Sequence, residues 1–116
     1  MKENLQKKKM KAWAKQNRVW CEKLWGKTGH PDLLLCVRGR LVAVELKQGQ
    51  GFNAVDQATT DVQRLRLAEI SSSGGLAIVA SLSAKTCVVL QHHAGGFCTE
   101  MWFNTFNDFT QWLLKP

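Results

Sequence analysis

Two acidic residues and a lysine flank two short apolar segments in the first half of the sequence. Asp32 directly precedes the apolar segment Leu33–Val37. Glu45 closes the next apolar segment, and Lys47 follows two positions later. The segments are separated by Arg38-Gly39-Arg40, which predicts a tight turn between two antiparallel strands. A hairpin brings its open ends together, so we expect the two carboxylates to lie close to each other, with Glu45 and Lys47 on one face of their strand.

This set of side chains suits the chemistry of phosphodiesters. Mg²⁺ and Mn²⁺ are hard cations that take oxygen ligands, often one or two carboxylates together with water. Asp32 and Glu45 are therefore candidate ligands of such an ion, and the Lys47 ammonium is a candidate partner for phosphate charge. Each residue also has a purely structural interpretation. Asp32 fits a turn aspartate after proline, and Glu45 with Lys47 fits a surface ion pair at a strand end.

Composition limits the chain to a few classes of protein. Its 116 residues fit a single domain, 1–116, and no apolar segment is long enough to span a bilayer. The N-terminal residues lack the apolar segment of a secretory signal, so we expect a cytoplasmic protein. The four cysteines form no C-x-x-C pair and are expected to be reduced and buried. A net charge of +7 favours a nucleic-acid partner, although a soluble protein that happens to be basic is the alternative.

Hydrophobic periodicity predicts an α/β domain. Helices are predicted over 3–17 and 60–73, and a last helix carries Phe106, Phe109, Trp112 and Leu113 on one side. Strands are predicted over 19–24, 33–37, 41–44, 76–80, 86–90 and 97–102, and a flexible glycine-bearing loop over 48–53. The order α-β-β-β-α-β-β-β-α indicates a central mixed sheet flanked by helices.

Two other kinds of site are considered and set aside. Residues 26–28 match the last three positions of a phosphate-binding loop, but the earlier glycine is absent and Pro31 prevents a helix from following. No nucleotide cofactor is therefore expected. A zinc site would need cysteines and histidines with the spacing of a known finger, which the second half of the chain does not provide. The residues concerned are Cys87, His92, His93 and Cys98.

Taken together, these motifs resemble the PD-(D/E)XK nuclease superfamily, and within it the VRR-NUC (virus-type replication-repair nuclease) domain. Three features carry the resemblance, which covers about 3–81. The first is Gly29-x-Pro31-Asp32-Leu33 before an apolar strand. The second is Glu45-Leu46-Lys47 at a strand end, followed by a glycine-bearing loop. The third is a helix bearing Gln63 that leads to Gly74-Gly75 and another strand.

The resemblance implies a restriction-endonuclease-like fold and Mg²⁺- or Mn²⁺-dependent cleavage of DNA. The catalytic residues implied are Asp32, Glu45 and Lys47, with the backbone carbonyl of Leu46 as a third metal ligand by analogy. The family's helix glutamine falls on Gln63, with Gln57 as the alternative if the register differs. Thr60 and Gln63 also fit a capping box, which is a sufficient structural reason for this glutamine, so both interpretations stay open. A glutamate on the first helix often completes the metal site of the family. Here the candidates are Glu3 and, in the first strand, Glu22.

Basic residues are the candidate contacts to nucleic acid. The first helix carries lysines on much of its surface, which indicates phosphate contacts or, alternatively, a solvated face. The candidates are Lys7, Lys8, Lys11, Lys15, Lys23, Lys27 and His30. Trp20 and Trp25 are the tryptophans expected to stack on unpaired bases, because they are expected near the site. Core positions are expected for the other three, Trp13, Trp102 and Trp112.

The resemblance also implies a biological setting. Stand-alone members of the family tend to come from phages or mobile elements and act on branched, flapped or junction DNA as homo-oligomers. A homodimer is therefore expected in a bacterial or phage-infected cell, with an apolar surface that includes Trp102, Phe103 and Phe106. The alternatives are a non-catalytic DNA-binding or inhibitor protein on the same fold and, more remotely, an RNA-processing nuclease.

Overall fold

The structure, a computed structural model, describes residues 1–24 and 29–115. The predicted residues Trp25 and Lys27, and the motif 26–28, lie outside the described residues. Four helices and six strands are described. The helices are α1 (Glu3–Gln16), α2 (Phe52–Ala58), α3 (Asp61–Ser72) and α4 (Phe106–Leu114). The strands are β1 (Trp20–Lys23), β2 (Leu33–Val37), β3 (Arg40–Leu46), β4 (Leu76–Leu82), β5 (Cys87–His92) and β6 (Cys98–Phe103).

The six strands form one mixed sheet in the order in which they occur along the chain. All neighbouring strands are antiparallel except β3 and β4, which are parallel and are connected through α2 and α3. The predicted α/β architecture, a mixed sheet flanked by helices, is confirmed. Within the described residues, no helix has both the length and the apolar character needed to cross a membrane.

Each face of the sheet is covered by two helices, and each layer has its own core. On one face, buried residues of α1 and α4, such as Met10 and Phe109, pack on alternate strand residues, including Leu33 and Leu46. On the other face, Val55 of α2 and Leu67 of α3 pack on the alternate strand positions. Because side chains alternate along a strand, the residues next to Leu33 and Leu46 turn toward α2 and α3.

The hairpin between β2 and β3 has a two-residue turn. Val37 pairs with Arg40, and the intervening Arg38 and Gly39 both have positive φ angles, of 50° and 78°. This conformation matches the right-handed twist of the flanking strands and fixes their register. Leu33 therefore lies opposite Val44. The hairpin predicted from the sequence is confirmed, and its register determines where Asp32 and Glu45 meet.

Helix α2 was not predicted, and the predicted loop 48–53 is wrong from Phe52 onward. Three features hide this helix in the sequence. It is only seven residues long, its N-cap is Gly51 without a side-chain hydrogen bond, and Val55 is its one buried residue. A helix this short forms through tertiary contacts rather than through propensity. One such contact is the Asp56–Arg64 ion pair to α3, with Oδ1 and Nη1 2.7 Å apart.

Gly29 allows the chain to pass close to α3 just before the site. Its φ angle is +82°, and a Cβ at this position would collide with the side chain of Val62. Both the backbone conformation and the close approach require glycine. The glycine of the Gly29-x-Pro31-Asp32 motif thus has a structural reason, because it sets the path on which Asp32 enters the sheet.

The cysteines do not all follow the expectation of burial. All four are free thiols: Cys87 is buried, Cys21 and Cys98 are half-buried, and Cys36 is exposed. Cys36 alternates with Leu35 and Val37 along β2 and therefore faces away from the core that those residues enter.

Candidate active site

Asp32 and Glu45 face each other at one end of the sheet. The β2–β3 register, continued by one residue from the pair Leu33–Val44, places them opposite each other on the face that carries α2 and α3. The backbone amide of Asp32 donates to Glu45 Oε1 at 3.1 Å. The amide of Leu46 donates to Asp32 Oδ2 at 2.8 Å. The sequence therefore correctly predicted that these two acids meet, and backbone hydrogen bonds hold both carboxylates in place.

Each carboxylate also contacts one lysine. Lys47 Nζ lies 3.3 Å from Glu45 Oε2, and both side chains are largely buried, with exposures of 13% and 5%. Lys7 Nζ, from α1, lies 3.3 Å from Asp32 Oδ1, and both of these side chains are 19% exposed. Glu45 and Lys47 thus share a strand face, as expected. Lys7 had been expected to contact nucleic acid, but here it contacts the site itself.

The surroundings of Glu45 favour its protonated form. Burial, the adjacent charge of Asp32 and a hydrogen bond with that side chain raise the pKa of Glu45 to about 8, although Lys47 acts in the opposite direction. Two carboxylates forced together in a poorly solvated site cannot both ionise without cost. A divalent cation between them would remove that cost, because it is attracted to both oxygens and displaces the proton.

Gln63 forms the capping box and also contacts Glu45. Its side-chain oxygen accepts from the Thr60 amide at 2.9 Å, and its own amide donates to the Thr60 hydroxyl at 3.1 Å, which completes the capping box of α3. Its Nε2 also donates to Glu45 Oε2. One glutamine therefore starts the helix and orients the buried carboxylate. Gln57, the alternative position, is exposed on α2.

Gln6 is a site residue that the sequence reasoning missed. It is fully buried on α1. Its Nε2 donates to the carbonyl of Lys47 at 3.0 Å and to that of Met1 at 2.8 Å, and its Oε1 accepts from the amide of Leu82 at 2.9 Å. Gln6 thus satisfies the backbone where β3 and β4 end. Its spacing from the buried residues Met10, Trp13 and Ala14 is the signal that could have revealed it.

The remaining candidate ligands do not form a larger group. Within residues 1–24 and 29–115, no three His, Cys, Asp or Glu side chains are placed to hold a metal ion together. Glu3, the first residue of α1, therefore does not join the two acids, and the exposed Glu22 on β1 does not either. The residues considered for zinc also do not form such a group. Leu46 is better placed, because its amide faces Asp32 and the carbonyl of an extended residue points to the same side as its amide.

The candidate nucleic-acid contacts lie in different environments. Lys8, Lys11 and Lys15 are exposed on α1. Lys23 is half-buried on β1 and pairs with Leu33, next to Asp32. His30 is half-buried in a cleft beside Pro31 and Arg66.

Two expectations about aromatic residues are wrong. Trp20 pairs with Cys36 and lies at the opposite end of the sheet from the acids, whereas Trp102, which was expected in the core, is 51% exposed. For Trp20, the sequence does not show which end of a strand faces the site. For Trp102, it does not show that β6 is an edge strand on which this side chain stays exposed. Of the residues expected on a dimer surface, Phe103 is half-buried and packs against Phe109, at 5.7 Å between ring centroids, and Phe106 is half-buried too. Trp13 is buried and Trp112 half-buried, as expected.

A comparison with models of known protein families gave no match, and a comparison with curated proteins gave none either. The chemical interpretation of the site therefore depends on its residues and their geometry.

Proposed function

We propose that this protein is a Mg²⁺- or Mn²⁺-dependent DNA nuclease of the PD-(D/E)XK superfamily, most similar to the VRR-NUC domain. The observation that carries the proposal is the facing pair Asp32 and Glu45, with Lys47 in contact with Glu45 at the same strand end. The element order supports a restriction-endonuclease-like fold. In it, α1 precedes an antiparallel hairpin, and the second strand of the hairpin then pairs in parallel with β4 through two helices.

The donor atoms fit a hard divalent cation. Asp32 and Glu45 offer carboxylate oxygens, and the carbonyl of Leu46 lies on the same side of β3. Magnesium sites commonly use one or two carboxylates and complete the shell with water and substrate oxygens. Two acids and one carbonyl are therefore sufficient, and Glu3 is not needed.

In hydrolysis, residues of the chain would bind the metal, stabilise negative charge and orient the two carboxylates. A bound Mg²⁺ or Mn²⁺ supplies positive charge at the phosphate and makes water more acidic. The Lys47 ammonium places a second positive charge beside the phosphoryl oxygens, where negative charge grows in the transition state. The Leu46 amide holds Asp32, and Gln63 holds Glu45, so that both carboxylates are oriented before the substrate arrives.

The charge distribution supports DNA as the substrate. The chain carries a net charge of +7, and α1 presents the exposed Lys8, Lys11 and Lys15 while its neighbouring Lys7 reaches the site. A phosphate backbone lying along α1 would therefore lead toward the two acids. We further propose that the substrate is branched, flapped or junction DNA in phage or mobile-element replication. A homodimer would then place one site on each strand.

A cleavage assay tests this proposal. The protein is incubated with branched and supercoiled DNA, and with matched RNA, in Mg²⁺ or Mn²⁺. Asp32→Asn and Lys47→Ala are each expected to lower cleavage at least about 100-fold, since each removes a charge at the reacting phosphate. Asp108→Asn, which changes an exposed acid of α4, is the matched control and should cut as the parent does. Cleavage that survives in Asp32→Asn would contradict the assignment.

A second function is favoured by one specific observation. Both carboxylates already contact a lysine, and the described residues contain no third acidic or histidine ligand. A nuclease fold whose site is closed by such ion pairs would bind DNA without cutting it. Retarded migration of branched DNA with no cleavage in either metal would support this non-catalytic binding protein and reject the nuclease.

A further inference from the structure

A second cavity lies at the same end of the sheet as the two acids and has no part in the chemistry described above. It has a volume of about 440 Å³ and is lined by residues of three segments, among them Gly49, Gly51, Ser81, Lys85, Val88 and Trp102. The volume lies in the range of small-molecule sites, roughly 300–1,000 Å³. The cavity therefore has room for one planar ring system.

The strand registers place this cavity in line with the active site. Ser81 pairs with Val88, and Val88 pairs with Trp102. Continuing the β3–β4 register one residue beyond Leu46–Ala80 puts Lys47 in the same row as Ser81. Residues in one row share a face of the sheet, so Lys47 and Trp102 lie on one face, three strands apart. That separation is roughly 14 Å, at about 4.8 Å per strand.

The lining of the cavity suits a nucleobase. Trp102 is 51% exposed, which leaves much of its indole free to stack, and the buried Val88 beside it is apolar. The loop 49–51 supplies backbone polar groups, and its position is fixed because the Ser81 hydroxyl donates to the carbonyl of Gly49 at 2.8 Å. Lys85 is exposed and, among the residues that the structure describes, forms no salt bridge within 4.0 Å. The cavity thus combines the ring face of Trp102, on which a base can stack, with backbone polar groups of 49–51 for the base edges. Lys85 adds a positive charge for a phosphate.

We propose that this cavity binds one unpaired base of the substrate strand, stacked on Trp102, with the adjoining phosphate on Lys85. The inference rests on the proposed function for the identity of the partner as nucleic acid. Each nucleotide of a strand adds at least about 3.4 Å, so the bound base lies a few nucleotides from the phosphate at Lys47. Bases inside a duplex are already stacked on both faces. The cavity therefore selects a single-stranded segment such as a flap.

The test measures binding in EDTA, where no cleavage occurs. Fluorescence anisotropy compares a labelled oligothymidylate with a blunt duplex of the same length. Trp102→Leu keeps apolar volume but removes the aromatic face, and is expected to weaken single-strand binding about 5- to 150-fold. Trp102→Phe should restore most of the affinity. Trp20→Leu is the matched control, because Trp20 is 54% exposed at the other end of the sheet, and it should bind as the parent does.

Several outcomes would overturn the inference. One is equal loss of single-strand and duplex binding in Trp102→Leu, and another is no loss at all. A changed molecular mass with unchanged DNA binding would instead assign Trp102 to a contact between copies of the chain. Lys85→Ala is a second variant that leaves the core intact. It should weaken single-strand binding and reduce its salt dependence by about one phosphate contact, and an unchanged salt dependence would count against the cavity.

The two proposals fail in different ways. If no metal supports cleavage but Trp102→Leu still loses single-strand affinity, the nuclease proposal fails and the base-binding cavity stands. If cleavage depends on Asp32 while Trp102→Leu binds single strands normally, the base-binding proposal is rejected and the nuclease proposal stands.

Discussion

Glu45 is a buried acidic residue at the centre of the site. It has 4% exposure, faces Asp32 and receives a hydrogen bond from Gln63. Burial and Asp32 raise the pKa of Glu45, and the positive charge of Lys47 lowers it only in part, so that the pKa is about 8. A protein without a ligand for this carboxylate would be more stable with a neutral residue there. A cation bound between Asp32 and Glu45, as in the proposed function, would offset the cost of ionising both acids.

The raised pKa of Glu45 predicts how stability depends on pH when no metal is bound. The usual value is 4.5 and the folded value about 8. Between these values the folded state binds a proton that the unfolded state has lost, so stability falls as pH rises through this window. Glu45→Gln should remove the fall and stabilise the metal-free protein at pH 8 by about 1–3 kcal/mol. Urea denaturation in EDTA at several pH values measures this.

Glu69→Gln is the matched control for that experiment. Glu69 lies exposed on α3 and pairs with Arg66 at 3.0 Å, so its replacement should leave the pH profile parallel to that of the parent. The interpretation of Glu45 would be wrong if Glu45→Gln showed the same decline between pH 5 and 8.

Gln63 combines two roles that a pair of variants can separate. Thr60→Ala removes one half of the capping box but leaves the contact between Gln63 and Glu45, and should cost about 1 kcal/mol of stability with normal cleavage. Gln63→Ala removes both contacts. It should cost stability by a similar or larger amount and also lower cleavage. Chemical denaturation and the cleavage rate are measured on both variants, and equal cleavage rates would show that Gln63 is only a cap.

Single residues were predictable where their neighbours in sequence decide their position. Asp32 and Glu45 follow from a short hairpin, since its turn fixes which residues lie opposite each other. Gln6 was not predictable in this way, because its partners, the backbones of Lys47 and Leu82, are distant in sequence. Trp20 was misplaced because only the full set of strand registers shows which end of each strand is near the site, and Trp102 because the sequence does not show that β6 lies at the edge of the sheet.

At the scale of elements, α1 contacts the site through two neighbouring side chains. Gln6 closes the ends of β3 and β4, and the next residue, Lys7, reaches Asp32. The packing of α1 on the sheet thus fixes the position of the backbone carbonyl of Lys47 and places the positive charge of Lys7 beside Asp32. The sequence indicated a basic amphipathic helix, and the resemblance placed Glu3 of this helix at the site, but neither showed that Gln6 and Lys7 are the residues that reach the ends of β3 and β4.

Removing the hydrogen bonds of Gln6 should destabilise the protein far more than removing the charge of Lys7. Gln6→Leu leaves the Lys47 carbonyl and the Leu82 amide buried without partners, which should cost about 2–4 kcal/mol. Lys7→Ala breaks a partly exposed ion pair and should cost less than about 1 kcal/mol. Thermal and urea denaturation of the two variants give the comparison. Similar losses in both would contradict the role assigned to Gln6.

The elements differ in how far their sequences determine them. Strands β2 to β6 contain apolar runs bounded by glycine or polar turns, so their existence was predictable to within a few residues. The short helix α2 has one buried residue and no side-chain cap, and only its packing and the Asp56–Arg64 pair define it. That helix carries the loop 49–51 into the base-binding cavity. The missed element therefore directly follows a segment of the cavity lining.

At the scale of the whole molecule, the site, the cavity and the N-terminal half of the basic helix α1 lie toward one end of the sheet. The ends of β3 and β4 carry Lys47 and Ser81, and α1 docks there through Gln6. The net charge of +7 gives the molecule an attraction for polyanions that does not depend on sequence. Composition predicted this general preference, but only the fold relates the lysines of α1 to the acids.

The basic helix predicts a measurable salt dependence. Replacing Lys8, Lys11 and Lys15 together with alanine should weaken duplex binding and reduce the slope of log K against log salt by about 2 to 3, since each phosphate contact contributes about 0.9. Lys115→Ala, which removes an exposed lysine beyond α4, is the control and should leave the slope unchanged. Anisotropy titrations at several salt concentrations measure both, and equal slopes for the triple variant and the parent would remove α1 from the DNA path.

The central claim is that two acids from neighbouring strands hold one cation jointly, and a crystal structure with Mn²⁺ tests it most directly. A single anomalous peak is expected within about 2.0–2.6 Å of carboxylate oxygens from both Asp32 and Glu45. The peak should disappear in Asp32→Asn. Crystals soaked in Mn²⁺ that show no peak there, with Lys7 and Lys47 still paired to the acids as they are now, would contradict it.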